Sequence, residues 1–149
     1  MKRVKPIWGR IAAAERGCAN LQFWGGCVID SEDALCVACR QYFDTVLPSS
    51  PFGLIHIPNG GSRNPIEGAK FKRMGVRAGV PDYLVMKDFQ PVGWLEFKYG
   101  RNTLTEAQKV FRNGCLAGGV KWAEIRSVDE FIHTLKEWGV FENGHTTRM

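Results

Sequence analysis

The chain has no apolar run long enough to cross a bilayer. It also has no internal repeat and no low-complexity segment, which excludes solenoids and tails of biased composition. Cysteine is sparse and odd in number, five residues with no secretory context, so reduced thiols are expected. The basic start at Lys2, Arg3 and Lys5 leads only to a short apolar run at 11–14. That run is too short for a signal-peptide core, and Arg10, Glu15 and Arg16 interrupt it. A cytoplasmic protein with no membrane association is expected. Histidine is scarcer still, at three residues. His133 and His145 have no metal-ligand spacing with anything else, and His56 reads as a structural residue of a strand. Acidic residues number 15 against 20 Lys and Arg, a formal charge of +5 that permits an anionic partner without proving one.

What is present suffices for a core. A length of 149 residues predicts one domain, and a hydrophobic content of 44% argues against wholesale disorder. Helical periodicity at Ala34, Leu35, Ala38, Tyr42 and Val46 predicts a helix over 31–46, capped by Ser31 and ended before Pro48. A strand follows over 52–57, broken by Pro58, Asn59, Gly60 and Gly61. A short helix over 64–74 is punctuated by Asn64, Pro65, Glu67 and Gly75. Thr105 caps another helix, with Ala107, Val110, Phe111 and Leu116 as its apolar stripe and Gly118 at its end. A strand over 120–125 and a last helix, boxed by Ser127 and Glu130 and ended by Gly139, complete the order. Its Phe131, Leu135 and Trp138 are expected to face the core. The order of elements fits an α/β layer fold, a central mixed sheet flanked by helices. Residues 1–30 read as an N-terminal extension without an assignable role, 31–139 as the domain and 140–149 as a tail.

The chain is organised around residues 79–98. Asp82 follows Pro81 and precedes an apolar run at 83–86. A polar turn over 87–91, closed by Pro91, leads into a second strand over 92–99. In a hairpin, Asp82 at the start of one strand comes near the far end of the other, where Glu96 and Lys98 share a face. Two carboxylates and a lysine then converge. Carboxylates are hard donors that suit Mg²⁺ or Mn²⁺. Such an ion activates phosphoryl oxygens and water, and a lysine beside it steadies developing negative charge. A solvated Glu–Lys pair on a surface hairpin is the plainer reading of E-x-K alone. An acid and a lysine flanking Phe97 in an otherwise buried-looking strand need partners, which favours the site.

Together G-V-P-D at 79–82, E-F-K at 96–98 and T-E-A-Q-K at 105–109 resemble the VRR-NUC (virus-type replication–repair nuclease) branch of the PD-(D/E)xK nucleases. H-I-P-N-G-G at 56–61 and K-R-M-G at 72–75 resemble that family's lead-in, and the resemblance covers roughly residues 31–139. It implies a restriction-endonuclease-like core and a Mg²⁺- or Mn²⁺-dependent DNA endonuclease. Asp82 and Glu96 would ligate metal, with Glu32 and the Phe97 carbonyl beside them, Lys98 would handle the water and the transition state, and Gln108 would support the site. Asn59 resembles the family's asparagine and would orient DNA or the hairpin. Stand-alone members also suggest a homodimer that favours branched DNA such as four-way junctions.

The plainer readings differ in strength. Glu32 is also an ordinary first-turn acid, and Gln108 an ordinary surface glutamine. The basic cluster of Arg63, Lys70, Lys72, Arg73 and Arg77 is opposed only by Glu67. It would ordinarily be a solvated face, but beside Asp82 a phosphate-binding patch is the better reading. Cys18, Cys27, Cys36 and Cys39 invite a zinc site, yet Cys36 and Cys39 fall within one helix, where cysteine is more often a buried hydrophobe. Two other functions remain open at this point. A DNA-binding or assembly module that does not cut would use the same basic cluster, but has little use for Lys98. A hydrolase of small phosphate compounds would have little use for the basic helix.

Overall fold

The computed structural model describes residues 28–47, 52–58 and 64–141. Among these the order is α1 (Glu32–Val46), β1 (Gly53–His56), α2 (Pro65–Arg73), β2 (Tyr83–Lys87), β3 (Gln90–Phe97), α3 (Glu106–Ala117), β4 (Lys121–Ile125) and α4 (Val128–Glu137). The strands form one mixed sheet in the order β1-β2-β3-β4. The first three are antiparallel neighbours, and β4 runs parallel to β3 after crossing over through α3. A parallel return needs such a crossover, and a helix covering the sheet supplies it.

Alternation along the strands sets the layers. Leu54, Val85, Tyr83, Leu95, Phe97 and Ile125 point to one face, where they meet buried residues of α1 and α4. The Phe131 ring lies 6.2 Å from that of Phe97 and 6.4 Å from that of Tyr42. Trp94 and Trp122 point to the other face, where Phe111 of α3 meets Trp94 edge-on at 5.6 Å. The structure is thus a mixed α/β fold with helices on both faces of a four-stranded sheet. Val140, fully buried, and Phe141, edge-on to Tyr42 at 6.5 Å, extend the core past α4.

The sequence signals for helix ends are largely realised. Ser31 Oγ accepts from Ala34 N, and Asn64 Oδ1 accepts from Ile66 N. Ser127 Oγ accepts from Glu130 N, but the Glu130 carboxylate turns to the amide of Arg126 at 2.7 Å instead of closing a reciprocal box. Two further expectations fail. The β2–β3 turn is tighter than a loop over 87–91, because Lys87 already pairs with Gln90. Asp88 and Phe89 both take positive φ, 52° and 61°, the backbone twist that two-residue hairpins require. Pro91 then lies inside β3, where it is tolerated because pairing with β4 begins only at Gly93. The α3 stripe is also narrower than its sequence suggests. Ala107, Val110 and Leu116 stay exposed, and of the helix's apolar side chains only Phe111 and Cys115 are half-buried.

Candidate active site

The hairpin register brings the acidic and basic groups of 79–98 together. Tyr83 pairs with Leu95, so Asp82 sits one residue further out, level with Glu96. Asp82 Oδ2 accepts a hydrogen bond from Phe97 N at 2.8 Å, and Asp82 O accepts from Ile57 N at 2.7 Å, which fixes the residue between β1 and β3. Glu96 and Lys98 lie on the α3 side of the sheet and are nearly inaccessible, at 1% and 6%. Lys98 Nζ donates to Glu96 Oε1 at 2.7 Å, and Glu32 Oε1 stands 3.9 Å from the same ammonium. Glu32 therefore reaches the site from the first turn of α1.

Gln108 joins this cluster through its helix cap. Its Oε1 accepts from Thr105 N at 2.8 Å and its backbone N donates to Thr105 Oγ1, a full capping box. Its Nε2 is left to donate to Glu96 Oε1 at 2.5 Å. Glu96 Oε1 thus holds both Lys98 and Gln108. Glu96 Oε2 is buried and has no hydrogen-bond partner. A desolvated carboxylate oxygen without a partner is costly and calls for a ligand or a proton.

These groups line a half-open cavity of about 400 Å³. Glu32, Asp82, Glu96 and Lys98 form its acidic and basic base. Residues 76–80 form one wall, and Thr105, Ala107 and Gln108 at the start of α3 form the other. Gly79 permits the approach of these walls. Its φ is +85°, and a Cβ there would lie 2.3 Å from the Ala107 carbonyl oxygen.

Electrostatics follow from burial among like charges. Burial pushes the Glu96 carboxyl up to about 7, against the pull of Lys98 and with help from Asp82 and Glu32. Burial also raises Asp82, partly offset by the Phe97 amide and Lys98. For Lys98, burial works to lower the ammonium, but the Glu96 hydrogen bond and the surrounding carboxylates outweigh it and raise the value overall.

The donors that could hold an ion are the carboxylates of Asp82 and Glu96, with Glu32 further out. All are hard oxygen donors, and the unpartnered Glu96 Oε2 is one in need of a cation. Among the described residues no three His, Cys, Asp or Glu side chains are gathered as a ready metal cage. An ion here would have one or two carboxylates and keep water ligands, as Mg²⁺ does. The donor set fits such an ion.

The basic residues divide. Arg77 is exposed and lines the cavity wall. Lys70, Lys72 and Arg73 are exposed on α2, which has no buried residue of its own. Asn59 and Arg63 lie outside the described residues, as do Cys18 and Cys27. Cys36 and Cys39 are on α1, half-buried and buried, and neither is in a disulfide.

Two residues were not placed beside the site from the sequence. Cys36 lies one turn beyond Glu32, and burial together with the Asp82 and Glu32 carboxylates pushes its thiol up to about 12. Its spacing of four from Glu32 was a readable signal. Glu124 is the strand partner of Glu96 across the parallel β3–β4 pair and points to the same face. No local signal could reveal it, because the pairing is made only in the folded sheet.

Comparison with protein-family models, curated proteins and solved structures finds no match for this chain. The functional reading therefore rests on the site itself and on the motif resemblance.

Proposed function

We propose that this protein is a Mg²⁺- or Mn²⁺-dependent DNA endonuclease with a restriction-endonuclease-like core, of the kind its motifs resemble. The observation that carries the proposal is the buried Glu96 carboxylate. One oxygen is fixed by Lys98 and Gln108, and the other is buried without a partner in a residue that lines a half-open cavity together with Asp82.

Asp82 and Glu96 would hold the ion, with Glu32 and the Phe97 carbonyl as further donors. When bound, the ion supplies polarisation of the phosphoryl group and eases loss of a proton from water. Lys98 carries the one buried positive charge of the cluster. It orients the attacking water and offsets negative charge building on the phosphate. Gln108 holds Glu96 in place and leaves Lys98 a fixed partner. Arg77 on the cavity wall and Lys70, Lys72 and Arg73 on α2 bind the flanking phosphates, which favours a polymer over a small phosphate ester. The proposal includes a homodimer acting on branched DNA, on the resemblance alone, and a cytoplasmic location, on the reduced thiols expected of its cysteines.

Cleavage of labelled four-way-junction, flap and linear duplex DNA in Mg²⁺, Mn²⁺ or EDTA tests the reading, with Lys98→Ala beside wild type. Metal-dependent cutting that Lys98→Ala abolishes while DNA binding persists is expected. Tight binding with no cutting by folded wild type would instead make the protein a non-catalytic DNA-binding module.

A further inference from the structure

The segment between Lys98 and Gln108 carries two groups that must meet the same oxygen of Glu96. It is an exposed connector over 99–105, and only Leu104 in it is buried. Its short internal hydrogen bond, Asn102 N to Tyr99 O at 3.1 Å, does not by itself tie it to the sheet. Arg126, just beyond β4, does so, while Tyr99 Oη donates to the Ile29 carbonyl at 3.2 Å and holds the start of the connector beside the residues that precede α1. Arg126 Nη1 donates to the Gly100 carbonyl at 3.1 Å and Nη2 to the Asn102 carbonyl at 2.8 Å. Arg126 Nε donates to Glu124 Oε1 at 2.5 Å. The residue's own amide is held by Glu130 at 2.7 Å, and Ile125, just before it, accepts the Lys98 amide at 3.0 Å. All three guanidinium nitrogens are therefore engaged at the edge of the proposed active site.

We infer that Arg126 is a positioning residue for the reaction, acting through the 99–105 connector. This inference rests on the nuclease reading above. The planar fork bridges two carbonyls two residues apart, which fixes the path of the chain from Lys98 to the α3 cap. That path decides whether Gln108 reaches Glu96 while Lys98 does. The third nitrogen engages Glu124, the strand partner of Glu96. A lysine at 126 keeps the charge but offers no planar fork, so charge and positioning separate experimentally.

The test uses the full chain as wild type, Arg126→Met and Arg126→Lys. Single-turnover cleavage of branched and linear DNA with Mn²⁺ is measured at saturating protein, DNA affinity separately, and amide hydrogen exchange on the metal-free protein. The cleavage rate is expected to fall about tenfold or more in both variants with DNA affinity within about twofold of wild type, the signature of displaced reacting groups. Exchange should quicken across 99–105 and leave α1 and β2 unchanged. A lysine variant that cuts at the wild-type rate would reduce the role to charge and overturn the inference. So would a variant that loses affinity but not saturated rate, which would make Arg126 a phosphate contact. Exchange that is unchanged at 99–105, or faster throughout the protein, would equally overturn it. If wild type cuts no DNA, the nuclease reading falls, and the exchange pattern alone then decides whether Arg126 fixes the connector.

Discussion

Glu96 makes the metal-free protein less stable as pH rises. Its carboxyl is almost wholly buried, one oxygen lacks a partner, and burial lifts it from an ordinary 4.5 to about 7. In the unfolded chain the same group ionises near 4.5. Between these values the native state holds a proton that the unfolded chain has lost, so stability declines with rising pH. The contribution is fully present below about 4.5 and gone above about 7. At about 1.4 kcal/mol per pH unit the decline amounts to at most about 3 to 4 kcal/mol. Urea unfolding in EDTA at pH 5 and pH 8 measures it, with Glu96→Gln as the control that cannot ionise. Wild type should lose stability between the two pH values, and the glutamine variant should lose clearly less, the remainder coming from Asp82, which is raised for the same reason. Added Mn²⁺ should restore wild type at pH 8, where both carboxylates are free to bind it, and leave Glu96→Gln nearly unmoved. Equal pH dependence in the two proteins would refute the argument, because the burial of Glu96 would then carry no ionisation cost.

Two further outcomes follow from the cavity walls. Gly79→Ala places a methyl 2.3 Å from the Ala107 carbonyl oxygen at φ +85°. It should cost on the order of 2 kcal/mol in thermal unfolding and widen the cavity enough to lose cleavage. Gln108→Ala removes both the Thr105 cap bond and the Glu96 bond. A stability loss of about 1 kcal/mol is expected from the cap, and a fall in cleavage rate beyond what that loss explains; an unchanged rate would leave Gln108 a helix cap only.

Much of this site was legible because its key spacing is local. Pro81, Asp82 and the apolar run after them mark a strand start. The i, i+2 placement of Glu96 and Lys98 fixes a shared face whatever the rest of the chain does. The helix caps at Ser31, Asn64, Thr105 and Ser127 were likewise readable, since a cap is satisfied within three residues of itself. The hairpin turn was misread because Asp88 and Phe89 carry no glycine to announce a positive φ, and only cross-strand pairing imposes it. The α3 stripe was misread because periodicity shows which residues share a face, not how much of that face a neighbour covers.

The sequence by itself determined the elements, their order and the identity of the acidic and basic groups, since these depend on propensity and spacing along one segment. Only the tertiary structure decided what those groups are worth. The burial that raises Glu96, the reach of Glu32 from α1, the double duty of Gln108 and the meeting of Glu124 with Arg126 all arise between elements distant in sequence. Desolvation and Coulomb forces act through space, and no local pattern records which residues the fold will bring within a few ångströms of one another.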